Sequence, residues 1–175
     1  MNEAYGLTRR LRAIRSFDPS PIEAADLDAI LEAARWTGSS RNSQPWQLIV
    51  LTDPQRRADL ATCGRFTRPL LAAPIVVALV GSQDGSGFDT GRLAQNLMLA
   101  AAALGIGSCP VTLHDEEAAR RVLGVPPDHR CRHAVALGRR APAQPSSGLI
   151  RKGRKPVHEL VHWNRFGERA DPRPE

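Results

Sequence analysis

Several features that define other classes of protein are scarce or missing in this 175-residue chain. Aromatic residues make up only 5%, which leaves few rings for stacking bases and excludes a recognisable nucleic-acid-binding module. The three cysteines, Cys63, Cys109 and Cys131, are far apart and form no C-x-x-C pair, so we expect no disulfide framework. Cys109 and Cys131 stand in apolar-leaning stretches and are expected to be core residues. No apolar run approaches the roughly 20 residues that span a bilayer, and no apolar signal segment opens the chain. We therefore expect a cytoplasmic protein with no membrane partner.

Basic residues are in excess, and nearly all of them are arginine. The formal net charge is +6, and Lys152 and Lys155 are the only lysines. Such an excess suggests an anionic partner, which can be nucleic acid, a membrane surface or a phosphorylated cofactor or substrate. Because the charge is spread along the chain, a genome biased toward arginine codons explains it equally well.

Hydrophobic spacing and turn residues predict the order of helices and strands. Ser20 is predicted to cap the second helix, with Pro21 in its first turn and Glu23 as the acid of a capping box. The helix at 88–104 is apolar nearly all round and is predicted to be the buried central helix. A Pro/Ser/Gly-rich span at 141–148 and a basic run at 151–155 follow the last strand. The predicted helices are 3–14, 21–36, 54–63, 88–104 and 116–123, and the predicted strands are 46–51, 74–80, 107–113 and 131–137.

The polar loop at 38–45 carries the strongest chemical signal. It offers hydroxyls at Ser39 and Ser40 and carboxamides at Asn42 and Gln44. A carboxamide holds a donor and an acceptor in one plane, which suits the pyrimidine edge of an isoalloxazine ring. An ordinary turn with Asx-type hydrogen bonds has the same composition, so composition alone leaves both interpretations open.

Motifs in a fixed order give a more specific indication. The sequence S-S-R-N-S-Q-P-W at 39–46 resembles the S-S-x-N-x-Q-P-W signature of the nitroreductase family of FMN enzymes. Residues 12–17 resemble the family's N-terminal R-S-[IV]-R-x-F, and residues 89–103 resemble its central helix. Residues 104–108 and 154–156 resemble the segment after that helix and the C-terminal basic element. The resemblance covers roughly residues 7–167, and several motifs in one order are far more specific than any single one.

This resemblance implies a fold and an assembly. We expect one α+β domain over residues 1–175, in which helices wrap a mainly antiparallel sheet. We also expect an intertwined, obligate homodimer that binds FMN between its two subunits.

The resemblance also implies a set of phosphate contacts. Arginine offers planar bidentate donors to a dianionic phosphate. Arg12 and Arg15, predicted one turn apart at the end of the first helix, face one phosphate in this hypothesis, and Arg154 and Lys155 approach it from the C-terminal side. This chain has Leu11 and Ala13 where the family's usual R-R-S has its first arginine and its serine. One cation and one hydroxyl of the family's phosphate site are therefore absent.

Contacts with the flavin ring are implied by the same resemblance. Ser39, Ser40, Asn42 and Gln44 are expected to touch the flavin, some of them from the neighbouring subunit. Pro110-Val111-Thr112 occupies the place where the family's backbone runs beside the isoalloxazine, and a backbone N–H there is expected to bond N5. A cation near N1 and O2 stabilises anionic reduced flavin, and Arg12 and Arg154 are both candidates for it.

The implied activity is reduction of nitroaromatics, quinones or similar acceptors by NADH or NADPH. The resemblance implies a ping-pong order, in which NAD(P)H delivers hydride to N5 and leaves before the acceptor occupies the same face. The cofactor carries this chemistry, so no side chain is assigned a catalytic role. A non-catalytic flavin-binding or storage protein is an alternative that the motifs also allow.

A second alternative is a zinc hydrolase. His158-Glu159-Leu160-Val161-His162 fits H-E-x-x-H, which on a helix places two histidines on one face with the glutamate as general base. Few residues follow it, and none is a further histidine, so we favour a C-terminal segment that faces the dimer partner and predict no metal. His129, Cys131 and His133 alternate as they would on one side of a strand, and a strand without metal is the preferred interpretation.

Overall fold

The computed structural model describes residues 2–142 and 153–169. They belong to two compact units, Met1–Pro142 and Ala143–Glu175, which are described separately. The prediction of one domain over 1–175 stays a prediction. Most of the predicted Pro/Ser/Gly-rich span at 141–148 and the start of the basic run at 151–155 lie outside the described residues.

The first unit is built from helices around one antiparallel sheet. The strands are β1 (Trp46–Leu51), β2 (Ile75–Ser82), β3 (Gly107–Thr112) and β4 (His129–Gly138), in the order β1-β2-β4-β3. Every neighbouring pair is antiparallel. The helices are α1 (Glu3–Arg10), α2 (Ala24–Arg35), α3 (Pro54–Ala61), α4 (Arg68–Ala72), α5 (Gly87–Ala103) and α6 (Glu116–Leu123). The predicted α+β class and mainly antiparallel sheet are confirmed.

The sheet buries both of its faces. On one face, Val76 and Ala78 of β2 belong to a core with residues of α3, α4 and α6. On the other face, Val77 and Leu79 belong to a core with residues of α2 and α5. A strand buried on both faces must be apolar at every position, which explains the unbroken run of hydrophobic residues along β2.

Helix α5 is buried along one stripe. Asp89, Leu93, Leu97 and Ala101 are its buried residues, and they recur every fourth position, which places them on one face. The other positions are half-buried or exposed within this chain. The prediction of a buried central helix is therefore confirmed for that stripe, while much of the remaining apolar surface is open.

Helix α1 ends earlier than predicted. It stops at Arg10, and Leu11 leaves the helix with φ −54° and ψ 127°. Arg12 Nη1 donates to the carbonyl oxygens of Arg9 and Leu11, both at 2.7 Å. Ala13 then pairs with Ser108 in a parallel bridge. Because this pairing requires extended backbone, Arg12 and Arg15 do not lie one helical turn apart, and that prediction was wrong.

Helix α2 also begins later than predicted. Its first residue is Ala24, and Glu23 is an N-cap without a side-chain hydrogen bond, so the predicted capping box is wrong. Asp18 Oδ1 instead accepts from Ser20 N at 2.9 Å, which forms an Asx-type turn. Ile22 is 7% exposed within the α2–α5 core. The turn and this burial fix the segment before the helix starts.

The described part of the second unit is a short irregular segment. It contains a 3-10 helix at Val157–Glu159, and Leu160 follows it. Across the described residues of both units, no helix is long and apolar enough to cross a membrane.

Candidate active site

The predicted flavin loop has an unusual backbone conformation. Arg41, Asn42 and Gln44 have φ values of 52°, 54° and 46°. For a residue other than glycine, the left-handed region costs about 1 kcal/mol or more. Within the loop, Ser39 Oγ accepts from Gln44 N at 2.8 Å, and Gln44 Nε2 donates to the Asn42 carbonyl oxygen at 3.3 Å. Costly conformations of this kind concentrate at functional sites.

Side chains of α5 hold the start of this loop. Arg92 Nη1 donates to the Gly38 carbonyl oxygen at 2.7 Å, and Asn96 Nδ2 donates to Thr37 Oγ1 at 2.9 Å. Thr37 is only 3% exposed, so the second bond is made in the interior. Sequence reasoning missed Arg92 and Thr37, although the polar position of Arg92 in a largely apolar helix was a signal.

The far end of the loop is joined to the sheet. Ser82 N donates to the Pro45 carbonyl oxygen at 3.2 Å, and Trp46 continues directly into β1, opposite Gly81. The loop is therefore fixed at both ends, while Ser40 and Asn42 are exposed between them.

The predicted N-terminal phosphate segment lies against β3. Ile14 N donates to the Ser108 carbonyl oxygen at 2.8 Å, next to the bridge between Ala13 and Ser108. Arg12, Ala13 and Arg15 are all exposed. The structure thus brings these three predicted residues together at β3, whereas the predicted loop is attached to α5 and β1.

Pro110, Val111 and Thr112 of β3 differ in the side to which they direct their backbone groups. Residues of an antiparallel strand alternately face their partner strand and the opposite side. Leu113 N donates to Arg132 O at 2.8 Å, so Val111 also faces β4, and Pro110 and Thr112 face away. Proline has no N–H. Among the three predicted positions, Thr112 is therefore the one that directs a backbone N–H away from β4.

A segment that sequence reasoning missed lies against the end of β3. A Cβ atom on Gly64 would lie 2.8 Å from the Thr112 carbonyl oxygen and 2.6 Å from Thr67 Cγ2, so the close approach requires glycine. Arg65 N donates to His114 Nδ1 at 3.3 Å. Nothing local in the sequence indicates this contact, because its two partners lie 49 positions apart.

A cavity of the first unit lies away from all of these residues. It measures about 430 Å³ and opens beside the end of β1, where Thr52, Asp53, Arg56 and Arg121 are among its lining residues. It contains no predicted site residue, so the predicted flavin contacts do not coincide with it.

The second unit contains the remaining predicted cations. Arg154 and Lys155 are exposed residues that precede the 3-10 helix. The H-E-x-x-H segment does not form the α-helix that its zinc interpretation needs, since the 3-10 helix ends at Glu159. His162 Nδ1 instead accepts from Gly167 N at 2.8 Å.

His129, Cys131 and His133 of β4 have different surroundings and partners. Burial raises the pKa of the Cys131 thiol to about 12, and burial lowers the pKa of His133. His129 Nδ1 lies 2.9 Å from Asp128 Oδ1, and the register of β4 with β2 shifts between Leu79 and Gly81 of β2. Within the described ranges, no group of three or more His, Cys, Asp or Glu side chains is arranged to hold a metal ion. Cys63, Cys109 and Cys131 are free and buried, which confirms the predicted core positions of Cys109 and Cys131.

Comparisons with known proteins agree with this fold. The model of the nitroreductase family matches residues 8–63 and 70–139. An NADPH-flavin oxidoreductase of Vibrio harveyi is 27% identical over 193 residues, which cover 96% of this chain and 76% of that protein. Nitroreductase A of Vibrio parahaemolyticus has a TM-score of 0.84 at 23% identity, covering 96% of this chain and 78% of that one. An FMN-dependent nitroreductase of Clostridium difficile R20291 has a TM-score of 0.77 at 24% identity, covering 93% and 99%.

Proposed function

We infer the function of this chain from its family, since the chain belongs to the nitroreductase family. The family predicted from the sequence motifs is confirmed. The proposed activity is that of an FMN-dependent oxidoreductase, which uses NADH or NADPH to reduce nitroaromatic, quinone or similar acceptors by a ping-pong mechanism. The names of relatives support it, since one is an NADPH-flavin oxidoreductase and another an oxygen-insensitive NADPH nitroreductase. A cytoplasmic location is part of the proposal.

The observation that carries the proposal is the conformation of the loop at 39–44. The chain holds three residues other than glycine at positive φ there, and α5 and β1 fix the ends of the loop. This arrangement presents Ser40 and Asn42 to the outside, next to the fixed Ser39 and Gln44. Fixed polar groups bind a flat heterocycle with less loss of entropy than mobile ones. The loop therefore suits the polar edge of a flavin ring.

Thr112 provides a second contact in this proposal. Its backbone N–H is directed away from β4, to the side of β3 where the family resemblance places flavin N5. When bound, FMN would supply the hydride transfer that the side chains of this chain cannot perform. The Thr112 N–H would hold the ring in register by a single hydrogen bond, and Pro110, the preceding residue on the same side of β3, has no N–H that could compete.

The phosphate would be held by arginines. Arg12 and Arg15 are exposed beside Ala13, on extended backbone that β3 holds in place. Arg154 and Lys155 are the proposed additional cations, and Arg12 and Arg154 both stay candidates for the cation near N1 and O2. Because Ala13 replaces the serine of the family's usual motif, we expect guanidinium groups, and no hydroxyl from this segment, to hold the phosphate.

We also propose a homodimer. The part of α5 outside its buried stripe includes half-buried or exposed apolar residues such as Met98, Leu99 and Leu104 at its C-cap. Trp36 is 73% exposed and Phe88 is 73% exposed, near the start of the flavin loop. Exposed apolar surface of this kind marks interaction sites. A second copy packed there would bring the loop of one subunit toward the β3 edge of the other.

The test is an anaerobic titration of the purified protein carrying its flavin. NADH or NADPH is expected to bleach the visible flavin band, and a nitroaromatic or a quinone is expected to restore it. Steady-state rates at several concentrations of both substrates are expected to give the parallel reciprocal plots of a ping-pong mechanism. A flavin band that neither NADH nor NADPH bleaches would favour the non-catalytic flavin-binding alternative.

A further inference from the structure

Two rings form an exposed corner beside the end of β3. The ring centroids of Phe66 and His114 are 6.4 Å apart, and the planes meet at 63°. Phe66 is 80% exposed, so its ring is accessible to a ligand. We call this pair the Phe66–His114 corner.

The corner lies next to Thr112, the residue with the outward backbone N–H. His114 follows Thr112 by two positions along extended chain, a span of about 7 Å. A Cβ atom on Gly64 would lie 2.8 Å from the Thr112 carbonyl oxygen and 3.6 Å from His114 Nδ1. Gly64 thus touches both the proposed cofactor contact and the corner, and it brings Phe66 to the same end of the strand.

The hydrogen bond from Arg65 determines which nitrogen of His114 can donate. His114 Nδ1 accepts from Arg65 N at 3.3 Å, so this nitrogen carries no proton in the neutral ring. The neutral imidazole then has its N–H at Nε2, on the opposite edge of the ring from Arg65. An exposed ring of this kind offers one donor to a ligand.

The segment that contains Phe66 also lies outside the residues that match the family. The family match covers residues 8–63 and resumes at residue 70, so it omits 64–69. Segments that differ among relatives while the scaffold stays the same commonly determine which ligand is bound.

We propose that the Phe66–His114 corner binds the electron acceptor. Phe66 packs against the flat ring of a nitroaromatic or quinone, and His114 Nε2 donates a hydrogen bond to its nitro or carbonyl oxygen. Both are binding residues that determine acceptor specificity, and no proton transfer is assigned to them. This inference rests on the proposed function, because it needs the flavin ring at Thr112.

The test compares two variants with matched controls in the flavin-loaded protein. His114→Asn keeps an acceptor for Arg65 N but loses the outward donor, and Phe66→Leu keeps apolar bulk but loses the ring. His129→Asn and Tyr5→Leu alter a histidine and an exposed aromatic residue elsewhere. Each protein is assayed with benzoquinone and with ferricyanide, an acceptor that has neither a ring nor a carbonyl oxygen.

Each of the two corner variants is expected to raise the KM for benzoquinone about five- to tenfold, the loss of one hydrogen bond or one ring contact. The KM for ferricyanide, the flavin content and the limiting rate of bleaching by NAD(P)H are expected to match wild type. An unchanged KM for benzoquinone, or an equal rise in the KM for ferricyanide, would overturn acceptor binding at the corner but leave the proposed function standing. A wild-type protein that NAD(P)H does not bleach would overturn the proposed function, and the corner with it.

Discussion

Arg92 is expected to hold the flavin loop without touching the cofactor. Its Nη1 donates to the Gly38 carbonyl oxygen at 2.7 Å, and its guanidinium also lies 5.7 Å from the Phe88 ring centroid. Arg92→Ala removes the hydrogen bond and frees the start of a loop whose positive φ values are costly. The loop then samples other conformations, and FMN must restore one of them when it binds.

The size of the effect follows from the geometry. A hydrogen bond from a charged donor contributes about 1.5–3 kcal/mol. The Arg92 side chain is 46% exposed, so water replaces part of that energy, and about 1 kcal/mol is a reasonable net loss. Because 1.4 kcal/mol corresponds to a factor of ten, the Kd for FMN should rise about fivefold.

The assay is a fluorescence titration of the flavin-free protein with FMN, beside thermal unfolding of the same samples. Arg92 lies 3.9 Å from Asp89. Arg35→Ala is the matched control, since Arg35 likewise pairs with an acid, Glu32, and lies 5.1 Å from the Trp36 ring centroid. Among the described residues, Arg35 bonds Glu32 and not the loop backbone, so its replacement should leave the Kd unchanged. Arg92→Ala with wild-type affinity and an intact fold would refute the view that α5 fixes the loop.

Three further predictions use other parts of the structure. Asn42→Ala combined with Gln44→Ala should raise the Kd for FMN about tenfold or more through the lost hydrogen bonds, and unchanged affinity would remove the loop from the site. Gly64→Ala should lower the free energy of unfolding by about 1–3 kcal/mol, because its Cβ would lie 2.8 Å from a backbone oxygen. Gly91→Ala on α5 has open space around its Cβ and should raise the free energy of unfolding by about 0.5–1 kcal/mol. Chemical denaturation that ranks the two variants in the opposite order would contradict the packing at Gly64. Burial raises the pKa of Cys131 from 9.0 to about 12, so above pH 9 the unfolded chain loses a proton that the folded chain keeps, and stability falls as pH rises. In urea unfolding, Cys131→Ala should show a smaller fall of the free energy of unfolding above pH 9 than wild type. An equal fall in both proteins would be inconsistent with a buried thiol at Cys131.

Elements that depend on local signals could be predicted from the sequence. The predicted and observed bounds of α6 are the same, Glu116–Leu123. Asp115 caps its start, and Gly124 follows its end with φ 66°. β2 could be predicted because a strand buried on both faces must be apolar throughout. The family motifs likewise identified the loop that carries the proposed ring contacts.

Elements that depend on distant contacts could not be predicted. The end of α1 is determined by the pairing of Ala13 with Ser108, which no local pattern encodes. α4 (Arg68–Ala72) is too short to show helical periodicity. The contact of Arg65 with His114 and the positive φ of Arg41 arise only when the chain is packed. The missed parts of the site therefore lie where the tertiary fold, and not the local sequence, fixes the backbone.

The most direct measurement is the visible absorption spectrum of the purified protein, followed by chromatography of whatever heat releases from it. We expect a flavin band and a released compound that runs as FMN. A colourless protein that also fails to take up added FMN would show that this chain does not bind the cofactor.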